Sequence, residues 1–199
     1  MNSHQLEDNL QVIRTLMERS ALYQRAVRPV LLLAGGVGTA AAVAGIFLKP
    51  PFVVYWATIA VVVLAGAFYL TRRQALKDGE AFWSPPARRV AVAMLPMMVI
   101  GLVITTMIAP TEGGVEIPCV YIWLMLYGCA LHTAGMFAPT KLRLLGWLCV
   151  GGGLALLMIL AISGRSSAPD WCAHATMGTF FGLLHLVFGL IPARTTAKE

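Results

Sequence analysis

The chain has 199 residues, 58% hydrophobic and 12% charged, with a mean hydropathy of +0.76. Soluble domains carry about 25% charged residues, so this composition excludes an ordinary soluble globular domain and a disordered chain. The formal net charge of +6 would suit nucleic acid if the bases shared one face with interleaved aromatics. They lie instead in short clusters between apolar runs, so no nucleic-acid partner is expected.

Residues 4–27 read as an amphipathic helix. Leu6, Leu10, Ile13 and Met17 recur at helical spacing, with Glu7, Arg14 and Glu18 off that stripe. The segment 1–28 is expected on the cytoplasmic side. It would lie on the membrane surface, or present Leu6, Leu10, Ile13 and Met17 to a cytoplasmic regulatory partner. Its acidic residues do not suit the start of a cleaved signal peptide. Pro29 then marks the break into the first apolar run.

Six apolar runs cover 29–48, 52–71, 90–109, 118–137, 144–163 and 173–191. Each has the roughly 20 residues that a helix needs to cross a hydrocarbon core of about 30 Å. They are continuous, unlike the alternating ten-residue segments of barrel strands. The expected fold is all-α: a six-helix transmembrane domain over 29–191, embedded in the lipid bilayer, with a tail over 192–199. Phe82 and Trp83 in the loop 72–89 suit the headgroup layer, and the stretch 111–116 (TEGGVE) suits a short outer turn.

The bases set the orientation. Thirteen of the fifteen fall in the N-terminal segment, the loops 72–89 and 138–143, and the tail; only Lys49 and Arg165 fall on the other side. The positive-inside rule makes both termini cytoplasmic, in a bacterial inner membrane.

All nine acidic residues lie outside the six runs. Proton relays, ion-coupled transport and paired-aspartate proteolysis need an intramembrane acid, so none of these is expected. Two histidines remain inside, His132 in the fourth run and His185 in the sixth, near the cytoplasmic ends. Flanking glycines repeat around both, in Tyr127-Gly128 and Phe181-Gly182. Two neutral imidazoles at similar depth could ligate a haem from both faces. Alternatively, each ring hydrogen-bonds a neighbouring helix as a packing device. At the outer ends of the fourth and sixth runs, Cys119 and Cys172 could form a disulfide in an oxidising compartment. No further metal ligands accompany them and His174, so no metal site is expected. The small residues Ala34, Gly35, Gly38, Thr39 and Ala42, and later Gly146 and Gly151 to Gly153, read as close helix contacts, within one chain or in a homo-oligomer. Pro96 should bend the third helix. No nucleophile motif surrounds Ser163, Ser166 or Ser167.

The stretches VIRTLMERSALY near the start, FWSPPARRVAVAMLPMM and WLMLYGCALHTAGMF in the middle, and GTFFGLLHLVFGLIPAR at the end resemble a family of small bacterial membrane proteins with no assigned biochemical activity. That resemblance implies a multi-span fold over nearly the whole chain. It also implies an association with small winged-helix regulators, next to which family members are often encoded.

The residues are compatible with three functional readings. The first is a non-enzymatic sensor or accessory protein engaging a cytoplasmic partner. The second is a cytochrome-like protein with haem on His132 and His185. The third is a passive channel or carrier for a neutral or apolar solute.

Overall fold

The computed structural model describes residues 27–77, 79, 85–108, 116–137, 139–163 and 169–191. Leu6, Leu10, Ile13 and Met17, Phe82 and Trp83, the stretch 111–115 and the tail 192–199 lie outside the described residues. Helix α1 spans Val27–Leu48. It is followed by α2 (Phe52–Lys77), α3 (Pro85–Ile108), α4 (Glu116–Ala134) and α5 (Thr140–Ile162). The last helix is continuous but changes pitch. It comprises α6 (Asp170–Met177), a π-helical turn (Gly178–Leu183) and α7 (Leu184–Leu190). No strand occurs among the described residues.

Among the described residues, five helices are long and apolar enough to cross a membrane, and α4 adds a shorter apolar stretch, Pro118–Ala134. Such helices suit a membrane-embedded protein. The helix ends differ from the sequence expectation. α2 continues past Arg72 and Arg73 to Lys77, because long basic side chains can lie along a helix end with their charges in the headgroup layer. Gly79, at φ +67°, then turns the chain. α5 begins directly after Pro139, at Thr140 rather than 144. α1 closes on Lys49, whose φ of 47° is left-handed. Its N–H reaches Gly45 O at 3.0 Å, the bond of a left-handed helix cap.

Neighbouring helices alternate in direction. Tyr55 of α2 donates to Ala41 O of α1 at 2.6 Å, and further along α2 Gly66 lies against Leu33. On α3 and α4, Trp123 Nε1 donates to Thr105 Oγ1 at 2.6 Å and its ring covers Gly101. α4 and α5 face each other through Gly128 and Gly146, with Gly153 beside Tyr121 O and Gly135 beside Arg143. Consequently α1 begins, α5 begins and α7 ends at one end of the bundle.

α1 and the last helix also approach closely, antiparallel. Gly45 abuts His174, Ala42 abuts Gly178, Gly38 abuts Phe181 O, Gly35 abuts the Leu186 backbone, and Leu32 abuts Gly189. A Cβ built on Gly182 would sit 2.8 Å from Thr39 N and 2.9 Å from Thr39 Cα, which are backbone atoms that a rotamer change cannot move. Around this seam are two apolar clusters. Leu31, Leu124, Leu145, Cys149 and Phe188 fill the end where α1 begins. Ala42, Phe52, Trp56, Val120 and Ala173 fill the other.

Adding a methyl group therefore has opposite consequences at two glycines of the same bundle. Gly36 is exposed and has nothing within 4 Å of a built Cβ, so Gly36→Ala should be neutral or stabilise by up to about 1 kcal/mol through helix propensity. Gly182→Ala should instead destabilise by about 1–3 kcal/mol, because the helices must separate. Thermal unfolding of both variants in one detergent measures the contrast, and equal midpoints would show that the seam is not closely packed.

Candidate functional site

Polar side chains in the interior gather around two histidines, one in each apolar cluster. His185, at the start of α7, is 1% exposed. Its Nδ1 lies 2.8 Å from Phe180 O. A carbonyl can only accept, so Nδ1 carries the proton and donates. In the neutral ring Nε2 is then an acceptor, and the Tyr127 hydroxyl of α4 donates to it at 2.7 Å. Phe181 completes the group, 4.7 Å from the Tyr127 ring and stacked on His185 at 11°.

The π-helical turn belongs to this group. Leu184 N–H bonds Thr179 O, five residues back, and the His185 side chain bonds Phe180 O, also five residues back. Such turns insert one residue into an α-helix and rotate the residues beyond it, and they recur at functional positions. Here the turn lies between Gly178, which meets Ala42, and His185, which meets Tyr127.

His174 centres the second group and is 4% exposed. Trp56 Nε1 donates to its Nδ1 at 3.2 Å. An indole N–H can only donate, so this ring carries its proton on Nε2, the opposite tautomer to His185. Phe52 meets the imidazole edge-on at 5.2 Å and Tyr55 at 5.9 Å. Gly45 lies against the ring on the α1 side. This histidine thus joins α1, α2 and α6 at the end opposite His185.

No family model, curated protein or solved structure matches this chain. Geometry alone therefore carries the reading of each candidate residue. The register between α4 and the last helix brings Tyr127, not His132, to His185. His132 lies five residues further along α4, a rise of about 7.5 Å. Its ring packs edge-on against Trp147 of α5 at 5.2 Å, and its buried Nδ1 has no hydrogen-bond partner among the described residues. Both nitrogens of His185 are committed, so iron at that ring would have to displace Tyr127 or Phe180 O. Cys119 and Cys172 are free thiols at the same end of the bundle. Among the described residues, no three His, Cys, Asp or Glu side chains converge as metal ligands would.

Sequence reasoning singled out His185 and Cys172 but missed Tyr127 and Trp56 as hydrogen-bonding groups. The available signal was chemical: a tyrosine hydroxyl or indole N–H inside an apolar helix must find a partner. Removing the Tyr127 hydroxyl leaves His185 Nε2 unsatisfied, so Tyr127→Phe should lower stability by about 0.5–2 kcal/mol. Most of that loss should vanish in a His185→Leu background, a coupling read from a double-mutant cycle of unfolding midpoints. Nitrogen-15 NMR of the histidine side chains should also show Nδ1–H on His185 and Nε2–H on His174. The same tautomer at both sites would contradict the hydrogen-bond assignments.

Proposed function

We propose that this chain is a six-span bacterial inner-membrane protein with both termini cytoplasmic. It acts as a non-enzymatic sensor or accessory protein that engages a cytoplasmic partner. The observation that carries the reading is that His185 spends both ring nitrogens on Tyr127 and Phe180 O. This satisfied ring holds helices together, and no acidic residue falls in any expected span to act with it.

The topology is supported by the alternation of helix directions and by the charges at helix ends. Arg28, Lys141 and Arg143 stand where α1 and α5 begin, and Lys49 stands at the other end. The partner surface would be Leu6, Leu10, Ile13 and Met17 on the segment before α1. The family resemblance, with its neighbouring winged-helix regulators, supports a regulatory protein as the partner. The bundle would then hold that surface at the membrane and transmit the state of its interior through α1, whose glycines lie against the last helix.

The test is co-purification from the native host in mild detergent. A stoichiometric cytoplasmic protein should accompany the full chain and be lost from an Ile13→Asp/Met17→Asp variant that still reaches the membrane at normal yield. An unchanged co-purification profile in that variant would overturn the proposal.

A further inference from the structure

The last helix meets α1 on both sides of the π-helical turn. Before the turn, Gly178 lies against Ala42; beyond it, Leu186 lies against Gly35 and Gly189 against Leu32. The turn inserts one residue, so everything beyond it is rotated by about 100°, one residue's share of an α-helical turn. In an uninterrupted α-helix Phe188 would point where Gly189 now does, and His185 where Leu186 now does. Phe188 has no room there, because even a Cβ on Gly189 would sit 2.8 Å from Leu32 Cδ2 and 3.2 Å from Leu32 N. α7 therefore packs on α1 when the turn is π-helical and leaves it when the turn is α-helical.

The hydrogen bonds show what favours the π-helical form. Leu184 N–H takes Thr179 O, five residues back. In the α-helical pattern that resumes with α7, the next N–H, that of His185, is directed four residues back, to Phe181 O. The main chain thus passes over Phe180 O, and a carbonyl without a donor is costly in apolar surroundings. The His185 side chain takes that place, with Nδ1 donating to Phe180 O at 2.8 Å. Tyr127 donates to Nε2 at 2.7 Å and so keeps the ring proton on Nδ1. A side chain of α4 is in this way tied to the pitch of the last helix.

We propose that the π-helical turn is a conformational switch held by the Tyr127–His185 pair. While Nδ1–H occupies Phe180 O, the turn stays π-helical and α7 lies on α1 at Gly35 and Leu32. When that bond is lost, the turn relaxes to an α-helix, in which Leu184 N–H serves Phe180 O, and α7 rotates off α1. His185 is thus a positioning residue for the first turns of α1. The inference concerns the bundle alone and does not depend on the cytoplasmic partner.

Disulfide cross-linking in native membranes reads the two sides of the turn separately, in a chain whose four natural cysteines are replaced by serine. Ala42→Cys with Gly178→Cys reports the contact before the turn, and Leu32→Cys with Gly189→Cys reports the contact beyond it. Both pairs should cross-link while His185 is present. His185→Leu should slow the second pair about tenfold, the order expected for one buried carbonyl left without a donor, and should leave the first pair unchanged. His185→Asn, whose amide N–H stands close to the place of Nδ1–H, should preserve the second pair. Deleting Thr179, whose side chain is exposed, from the His185→Leu chain removes the inserted residue. An uninterrupted α-helix then presents position 189 to position 32 again, and the second pair should recover. Full cross-linking of the second pair in His185→Leu, equal loss of both pairs, or no recovery on deleting Thr179 would each overturn the proposal.

Discussion

Inside a bilayer, apolar helices gain nothing from the hydrophobic effect by touching one another, because lipid tails are as apolar as leucine. Close packing and interhelical hydrogen bonds must supply the attraction. In this bundle one seam of close packing lies between α1 and the last helix, where Gly35, Gly38 and Gly45 meet Leu186, Phe181 and His174, and Gly178 and Gly182 meet Ala42 and Thr39. The backbones approach so closely that a single methyl group at Gly182 has no space. α2 reaches this seam through Tyr55 and Trp56, and α4 reaches it through Tyr127. α5 is fixed in turn by the Gly128–Gly146 contact with α4.

Hydrogen bonding obeys the same constraint. Apolar surroundings leave no partner for a stray hydroxyl or N–H, so each must be satisfied locally or across a helix boundary. Thr39, Thr58, Thr71, Thr105, Thr133 and Thr179 each bond the carbonyl four residues back. The indoles of Trp56 and Trp123 and the hydroxyls of Tyr55 and Tyr127 instead bond other helices. The two buried histidines complete this scheme at opposite ends of the last helix, each in the tautomer that its partner requires. The exposed apolar faces of α2 and α3, carrying Val61, Leu64, Leu95 and Leu102, need no protein partner in lipid.

Much of this was legible from the residues. Runs of about twenty apolar residues marked the helices, and the four-residue spacing of Gly35–Thr39 and Gly38–Ala42 marked the face of α1 that packs closely. Helix ends were less legible, because Arg72 and Arg73 read as a boundary although the α2 backbone continues through them. The π-helical turn left no trace in sequence. Its extra residue rotates His185 relative to the helix before it, and a run that is apolar on all sides shows no stripe in which that shift could be read. For the same reason the spacing of His132 and His185 suggested that the rings share a depth, whereas the register places Tyr127 opposite His185. A one-turn offset between parallel helices depends on side-chain fit, and apolar runs this uniform do not encode it visibly.

The antiparallel seam between α1 and the last helix is the contact on which the bundle rests, and disulfide cross-linking in native membranes tests it most directly. In a chain whose four natural cysteines are replaced by serine, Ala42→Cys with Gly178→Cys places two thiols against each other across the seam, where a small separation of the helices gives the roughly 3.8 Å between Cβ atoms that a disulfide needs. Mild oxidation should cross-link this pair rapidly within one chain. Gly36→Cys with Gly178→Cys should remain reduced, because Gly36 lies on the open face of α1. Comparable cross-linking of the two pairs, or none in the first, would contradict the seam and the bundle built around it.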